Sequence, residues 1–390
     1  MSSLDPTDSG LHLRSRLPDV GVTIFTVMSR RATERGAINL SQGFPDFDCA
    51  PELVTLVRDW LGRGVNQYAP MAGVPTLRQA LSDSIDRLYG RRYDPDREIT
   101  VTAGATEALF SAITALVHPG DEVVLFEPCY DSYVPAVQLA GGTPVFVTLQ
   151  YPSYAIDWDA FRQVLTPRTR LVVLNSPHNP TGMVLSAEDL RQLAEILDGT
   201  DVLVISDEVY EHLVFDGRRH ESLCRLPELA ARTAVISSFG KSFHTTGWKV
   251  GYVTAPAALT AEIQRVHQFV TFAVNTPIQH AYAEFLARMA DFGALTRFYE
   301  EKRQQFLSLL EGSRFRPVPC RGTYFQLLDY SAVAQCGDVE MADRLLEQHG
   351  VASIPTSAFL YRSTAPRVLR FCFAKRDDTL MAAAERLRAV

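Results

Sequence analysis

Between residues 99 and 237, short runs of β-branched and apolar residues alternate with stretches of helical period, and few architectures accept that rhythm. Strands are expected over 99–103, 122–126, 143–147, 171–174, 202–206 and 233–237, with amphipathic helical patterns between most of them, as at 107–117, 157–165 and 187–197. Strand-helix alternation of this kind implies an α/β fold: a mostly parallel central sheet with helices on both faces. The 390 residues, 46% of them hydrophobic, suffice for that core and for a smaller second one. Residues 1–48 read as an N-terminal arm, punctuated by Pro6 and Pro18 and carrying a short helical pattern at 24–35. Helices that begin at prolines are expected over 51–61 and 75–89, and a further strand over 249–254. A helical region at 258–310, interrupted near Asn275-Thr276-Pro277, leads into a second cluster of strands and helices (323–328, 341–348, 368–373). That cluster reads as a smaller α+β domain. The expected organisation is an arm (1–48) that joins the small domain, a large domain (49–285) and a small C-terminal domain (286–390).

Composition narrows the class of partner. A net charge of −7, with no basic run, argues against nucleic acid or an anionic membrane. The six cysteines (Cys49, Cys129, Cys224, Cys320, Cys336, Cys372) are scattered without a C-x-x-C pair, which fits reduced thiols better than disulfides or zinc. Residues 1–19 have no apolar signal-like core, and no run of about 18 apolar residues occurs. A soluble, cytoplasmic protein without a metal is expected.

In open parallel sheets ligands bind beyond the carboxyl ends of the strands, so the residues that follow each strand are the candidate site. After 99–103 come Gly104-Ala105-Thr106-Glu107, opening a helix whose free N–H groups suit a phosphate. The next ends supply Tyr130, an aromatic ring; Asn179 in Asn179-Pro180-Thr181-Gly182, an amide; and Asp207 with Tyr210, an acid and a phenol. The last strand runs into Ser238-Phe239-Gly240-Lys241, placing a lysine where a charge would be costly to leave dry and unpaired. Each residue alone has a plainer reading: a helix start at Gly104, a turn at Asn179, packing at Tyr130, a helix N-cap at Asp207, a solvated loop lysine at Lys241. A phosphate cradle, a stacking ring, an amide, an acid, a phenol and a lysine at successive strand ends are together what pyridoxal phosphate requires.

The chain resembles the class I/II aminotransferases of the fold-type I pyridoxal-phosphate family over about 25–388. The motifs that carry the resemblance are Asn39-Leu40-Ser41-Gln42-Gly43-Phe44-Pro45-Asp46-Phe47, Asn66-Gln67-Tyr68, Asn175-x-Pro177-His178-Asn179-Pro180-Thr181-Gly182, Ser206-Asp207-Glu208-Val209-Tyr210, Ser238-Phe239-Gly240-Lys241-x-Phe243 and Arg370-Phe371-Cys372-Phe373-Ala374-Lys375. It is similar to the branch of kynurenine aminotransferases, glutamine transaminases and bacterial methionine aminotransferases; His244 is most like the last of these. Many family members carry an arginine where this chain has Lys249, but lysine is usual in this branch. The resemblance implies that Lys241 forms the Schiff base with the cofactor and moves the substrate proton, that Asp207 pairs with the pyridine nitrogen, and that Tyr210 and Asn179 bond its 3′-oxygen. It further implies that Tyr130 stacks on the ring and that Gly104, Ala105, Thr106, Ser238 and Lys249 bind the phosphate. Tyr68 would reach the phosphate of a partner subunit, so a homodimer with shared sites is expected. Arg370 would clamp the substrate carboxylate, assisted by Gly43 and Asn179.

The donor is harder to read. The segment Phe269-Val270-Thr271-Phe272-Ala273-Val274-Asn275-Thr276, where related enzymes with acidic substrates place a second arginine, carries no cation. An acidic side chain would be desolvated there without a countercharge. Phe25 and Phe359 are expected either to line an apolar pocket or to be plain core. The expected reaction moves the amino group of methionine, or another large neutral or aromatic amino acid, to a 2-oxo acid by a ping-pong mechanism. The alternative is a kynurenine or glutamine transaminase, or a β-lyase of cysteine S-conjugates.

Overall fold

The computed structural model describes residues 14–390, so the first thirteen residues of the expected arm, with Pro6, lie outside the described residues. A seven-stranded sheet forms the centre, in the order Ile99–Thr102, Gly251–Thr254, Thr233–Ser238, Leu203–Asp207, Thr169–Asn175, Glu122–Glu127, Thr143–Thr148. Every neighbouring pair is parallel except the two made by Gly251–Thr254, which runs against both its neighbours. Helices cover both faces of the sheet, so its strands are buried on both: all six residues of Glu122–Glu127 are buried, as are all four of the end strand Ile99–Thr102.

Local chemistry sets the element ends. Pro51 and Pro75 open the helices Pro51–Gly62 and Pro75–Tyr89, where a missing N–H costs nothing, and Gly90 closes the second in the left-handed region. Helix Ala187–Leu197 starts at a reciprocal capping box between Ser186 and Asp189. The region expected as one interrupted helix resolves into Ala257–Val270, Thr276–Arg288 and Gly293–Leu309, with the Asn275 side chain capping the second by accepting from Ile278 N–H at 3.1 Å. Most boundaries move by one to three residues, and two shifts have an evident local cause. The helix expected at 107–117 begins earlier, as Gly104–Leu116, because Gly104 at φ +76° turns the chain straight out of the strand. The strand expected from 249 begins at Gly251, because Lys249 takes a left-handed conformation (φ +53°) after the turn Thr246–Trp248.

A second, four-stranded antiparallel sheet follows the order Ile354–Pro355, Val368–Cys372, Phe325–Asp329, Arg316–Pro317. Helices Asp338–His349 and Asp377–Arg388 pack on it through Met341, Leu345, Leu380 and Leu387. The N-terminal segment joins this part of the molecule: Ile38–Asn39 pairs in parallel with Val351–Ala352, and Met28 and Ala32 enter the same core. Residues 40–47 then cross back toward the central sheet, so both parts of the fold wall one cavity.

Candidate active site

A cavity of about 400 Å³ opens at the carboxyl ends of the central strands, within the range of roughly 300–1,000 Å³ typical of small-molecule sites. Gly104, Ala105, Thr106, Tyr130, Asn179, Asp207, Tyr210, Ser238, Lys241 and Lys249 reach it from the large sheet. Phe25 and Gly43 reach it from the N-terminal segment and Arg370 from the second sheet. Tyr68 does not line it. That residue is 83% exposed and stands edge-on to Phe272, at 5.3 Å between ring centroids.

One end is built for an anion. The first-turn N–H groups of helix Gly104–Leu116 have no intrahelical acceptor and carry the positive end of the helix dipole. A Cβ on Gly104 would stand 3.2 Å from Lys249 Nζ, and one on Gly251 would stand 2.9 Å from Ala105 N. Glycine at both places therefore lets the cation, the helix start and the strand close round the same small volume. Ser238, at the end of its strand, completes that rim.

The other end holds an acid and an amine. Asp207 is 4% exposed, and burial raises its pKa to about 6 against the opposing pull of hydrogen bonds. Tyr133 Oη donates to Asp207 Oδ2 at 2.6 Å and Val209 N–H donates to Oδ1 at 3.3 Å. Asn175 ties its backbone in place, its side chain donating to the Asp207 carbonyl at 2.8 Å and accepting from Asn179 N–H at 2.7 Å. Lys241 follows its strand on one short helical turn, Phe239–Ser242, and is half-buried because it faces the cavity. Burial lowers its pKa to about 8, so its neutral amine is accessible near neutrality. Its Nζ donates to Tyr324 Oη at 2.8 Å and to the Gly43 carbonyl at 3.1 Å. Tyr210 packs edge-on against Tyr324 at 5.1 Å, and burial pushes its phenol well above its ordinary pKa.

Arg370 is 1% exposed, at the centre of strand Val368–Cys372. Its Nη1 donates to Asn179 Oδ1 at 2.8 Å and its Nη2 to the Ser41 carbonyl at 2.9 Å. Those bonds use two of five N–H donors, and Nε has no partner. The Phe325 ring lies 3.9 Å from the guanidinium carbon, with Phe25 at 5.0 Å and Phe359 at 5.1 Å. Among the described residues no carboxylate stands within salt-bridge distance of it. A buried guanidinium with unused donors that faces a cavity is set up to receive an anion. All five residues of this strand are buried, so Arg370 is not a solvated edge residue.

Two tyrosines that the sequence reading passed over belong to the site. Tyr133 follows Tyr130 by three residues but starts a helix, Tyr133–Leu139, which turns its hydroxyl beneath Asp207. Tyr324 comes from the second sheet's approach, and no local pattern ties it to Lys241. These residues fit pyridoxal phosphate: a cradle that a Cβ would fill at Gly104, a buried acid, an amine of lowered pKa and an unfilled guanidinium fork all face one cavity.

Comparison with known proteins agrees. Residues 35–387 match the family described as Aminotransferase class I and II. The chain is 50% identical to the methionine aminotransferase of Escherichia coli (strain K12), over 98% of this chain and 99% of that relative. It is 35% identical to human kynurenine–oxoglutarate transaminase 3, over 96% of this chain and 89% of that one. The crystal structure of YbdL from Escherichia coli, for which a methionine aminotransferase function is identified, superposes with a TM-score of 0.95 at 50% identity, covering 97% of this chain and 100% of that one. The chain belongs to the class I and II aminotransferases, fold-type I enzymes that depend on pyridoxal phosphate.

Proposed function

We propose that the enzyme transfers the amino group of methionine, or of another large neutral or aromatic amino acid, to a 2-oxo acid in two ping-pong half-reactions. The observation that carries this reading is the cation inventory of the cavity. Among the described residues its lining cations are Lys241, Lys249 and Arg370, with no further cation to meet an acidic side chain. Phe25 and Phe325, with Phe359 behind, offer apolar surface beside Arg370. The methionine aminotransferase function of the similar Escherichia coli protein supports the same donor. A donor panel tests it: methionine and phenylalanine are expected to give kcat/KM at least tenfold above aspartate, read by loss of the cofactor's visible absorbance. Equal or better turnover of aspartate would remove the reading.

In this proposal Lys241 carries the cofactor at rest and then holds the proton that moves during transfer, its lowered pKa matching both tasks. Asp207 would pair with the ring nitrogen, Tyr210 and Asn179 would bond the 3′-oxygen, and Tyr130 would stack on the ring face. Gly104, Ala105, Thr106, Ser238 and Lys249 hold the phosphate. Arg370 clamps the donor carboxylate, with Gly43 and Asn179 beside it. Bound pyridoxal phosphate supplies an electron sink that acidifies the Cα–H of an attached amino acid. Domains corresponding to 49–285 and 286–390, the latter joined by 1–48, would close over the donor and exclude water.

We further place the enzyme as a cytoplasmic homodimer. Phe269 (87% exposed), Val270, Phe272 and Tyr68 form an apolar patch beside a groove lined by Thr106, Phe110, Pro135, Leu139 and Lys249. A second copy of the chain would cover the patch and deliver Tyr68 to the neighbouring phosphate cup. All six cysteines are unpaired, which supports a reducing compartment. Sedimentation at twice the chain mass is expected, with Phe269→Asp shifting it toward the chain mass and weakening cofactor binding together. A monomeric wild-type holoenzyme would overturn the shared-site arrangement.

A further inference from the structure

We infer that Glu127 is a positioning residue that latches the loop leading into Arg370, and so sets how well the enzyme holds its donor. Glu127 ends the central strand Glu122–Glu127 and is wholly buried. Among the described residues no lysine, arginine or histidine stands within salt-bridge distance of it. Its charge is met instead by the loop that follows the turn Thr356–Phe359 of the second sheet. Oε2 accepts from the N–H groups of Tyr361 (2.7 Å) and Arg362 (3.0 Å). Oε1 accepts from Ser363 N–H (3.0 Å) and from Thr148 Oγ1 (3.2 Å). Three successive backbone N–H groups aimed at one carboxylate form an anion nest, occupied here by the protein's own side chain. Charge-assisted bonds of this kind are about twice as strong as neutral ones.

Two neighbouring contacts share the seam. Cys129 N–H donates to the Phe359 carbonyl at 2.8 Å, and the Tyr361 ring stacks on Phe146 at 5.2 Å and 11°. Phe359, at the start of this loop, is fully buried against Phe25 (5.8 Å) and the Arg370 guanidinium (5.1 Å). The strand that holds Arg370 begins at Val368, directly after the loop. Glu127 therefore connects the large sheet to the aromatic wall behind Arg370 without touching the cavity itself.

The Glu127→Gln holoenzyme tests this. Whichever way the amide turns, its NH2 faces backbone N–H groups, so at least one of them loses its acceptor and meets a donor. Hydrogen exchange at amides 361–363 is expected to accelerate by at least about tenfold. KM for methionine should rise roughly three- to tenfold, while kcat and cofactor affinity stay within about twofold. A merely structural loss would lower cofactor affinity and melting temperature along with donor affinity. If Glu127→Gln does not fold, Arg362→Pro removes one of the same N–H groups at an exposed loop position, and the same KM rise is expected. Unchanged exchange at 361–363 overturns the latch. Accelerated exchange with unchanged KM overturns its hold on the donor. The kinetic arm rests on the proposed role of Arg370, whereas the exchange arm does not, so a wild-type enzyme inactive on every donor would refute that role and leave the latch decided by exchange alone.

Discussion

Lys241→Ala is expected to lower transamination by at least about ten-thousandfold while leaving pyridoxal phosphate binding partly intact. The magnitude follows from the position of the amine. Its Nζ is the one lysine nitrogen that meets Tyr324, Gly43 and the Tyr210 ring, and burial has already brought its pKa down to about 8. A carrier and proton shuttle must shed and regain a proton near neutrality, and no other residue at that end of the cavity combines that pKa with that reach. Cofactor binding should survive in part because the proposed phosphate site around Gly104 and Lys249 and the acid at Asp207 do not depend on the amine. Lys241→Arg separates charge from chemistry. It keeps a cation at the same place, but a guanidinium does not deprotonate in a protein, so it should be as inactive as the alanine variant. Stopped-flow absorbance of the reconstituted variants with methionine reads both effects. Turnover of Lys241→Ala near the wild-type rate would end the mechanism.

The parts of this molecule that the sequence exposed are those governed by local rules. Short apolar runs such as 123–126, bounded by turn residues, read as strands inside a covered sheet, and helix starts at Pro51, Pro75 and Ser186 are decided by neighbours within a turn. The residues at the carboxyl ends of those strands share one cavity because sheet topology alone brings them there. What stayed hidden depends on contacts across the chain. Tyr324 bonds Lys241 from 83 residues away, and Arg370 meets Asn179 across 191. A single tyrosine among fourteen carries no mark of such a partner. Tyr133 illustrates the same limit at short range, since only the helix that starts at it decides that its hydroxyl meets Asp207 rather than the cavity. Tyr68 is the extreme case: within one chain it is a ring in solvent, and any role for it needs a second copy.

Arg370→Ala is expected to raise donor KM roughly 30- to 5,000-fold, the range that corresponds to losing about 2–5 kcal/mol from a buried charge pair. The free enzyme shows why the effect should fall on the donor. Arg370 is buried without a carboxylate partner, and burial draws its pKa down to about 10, so the guanidinium is poorly compensated until an anion arrives. Asn179 and the Ser41 carbonyl orient it by taking one N–H each, but both are neutral. A donor carboxylate would supply the missing charge and meet N–H donors that Asn179 and Ser41 leave free, the bidentate geometry that a fork permits and a single ammonium does not. Arg370→Lys should therefore recover only part of the lost affinity, although it keeps the charge. Cofactor affinity should fall far less than donor affinity in both variants, because Arg370 stands on the second sheet and the proposed cofactor site on the first, the two sharing only Asn179. Titrating each variant with pyridoxal phosphate and then with methionine separates the two bindings. Donor affinity unchanged in Arg370→Ala would show the clamp to be misassigned, and a parallel loss of both would show that the substitution had damaged the seam between the sheets instead.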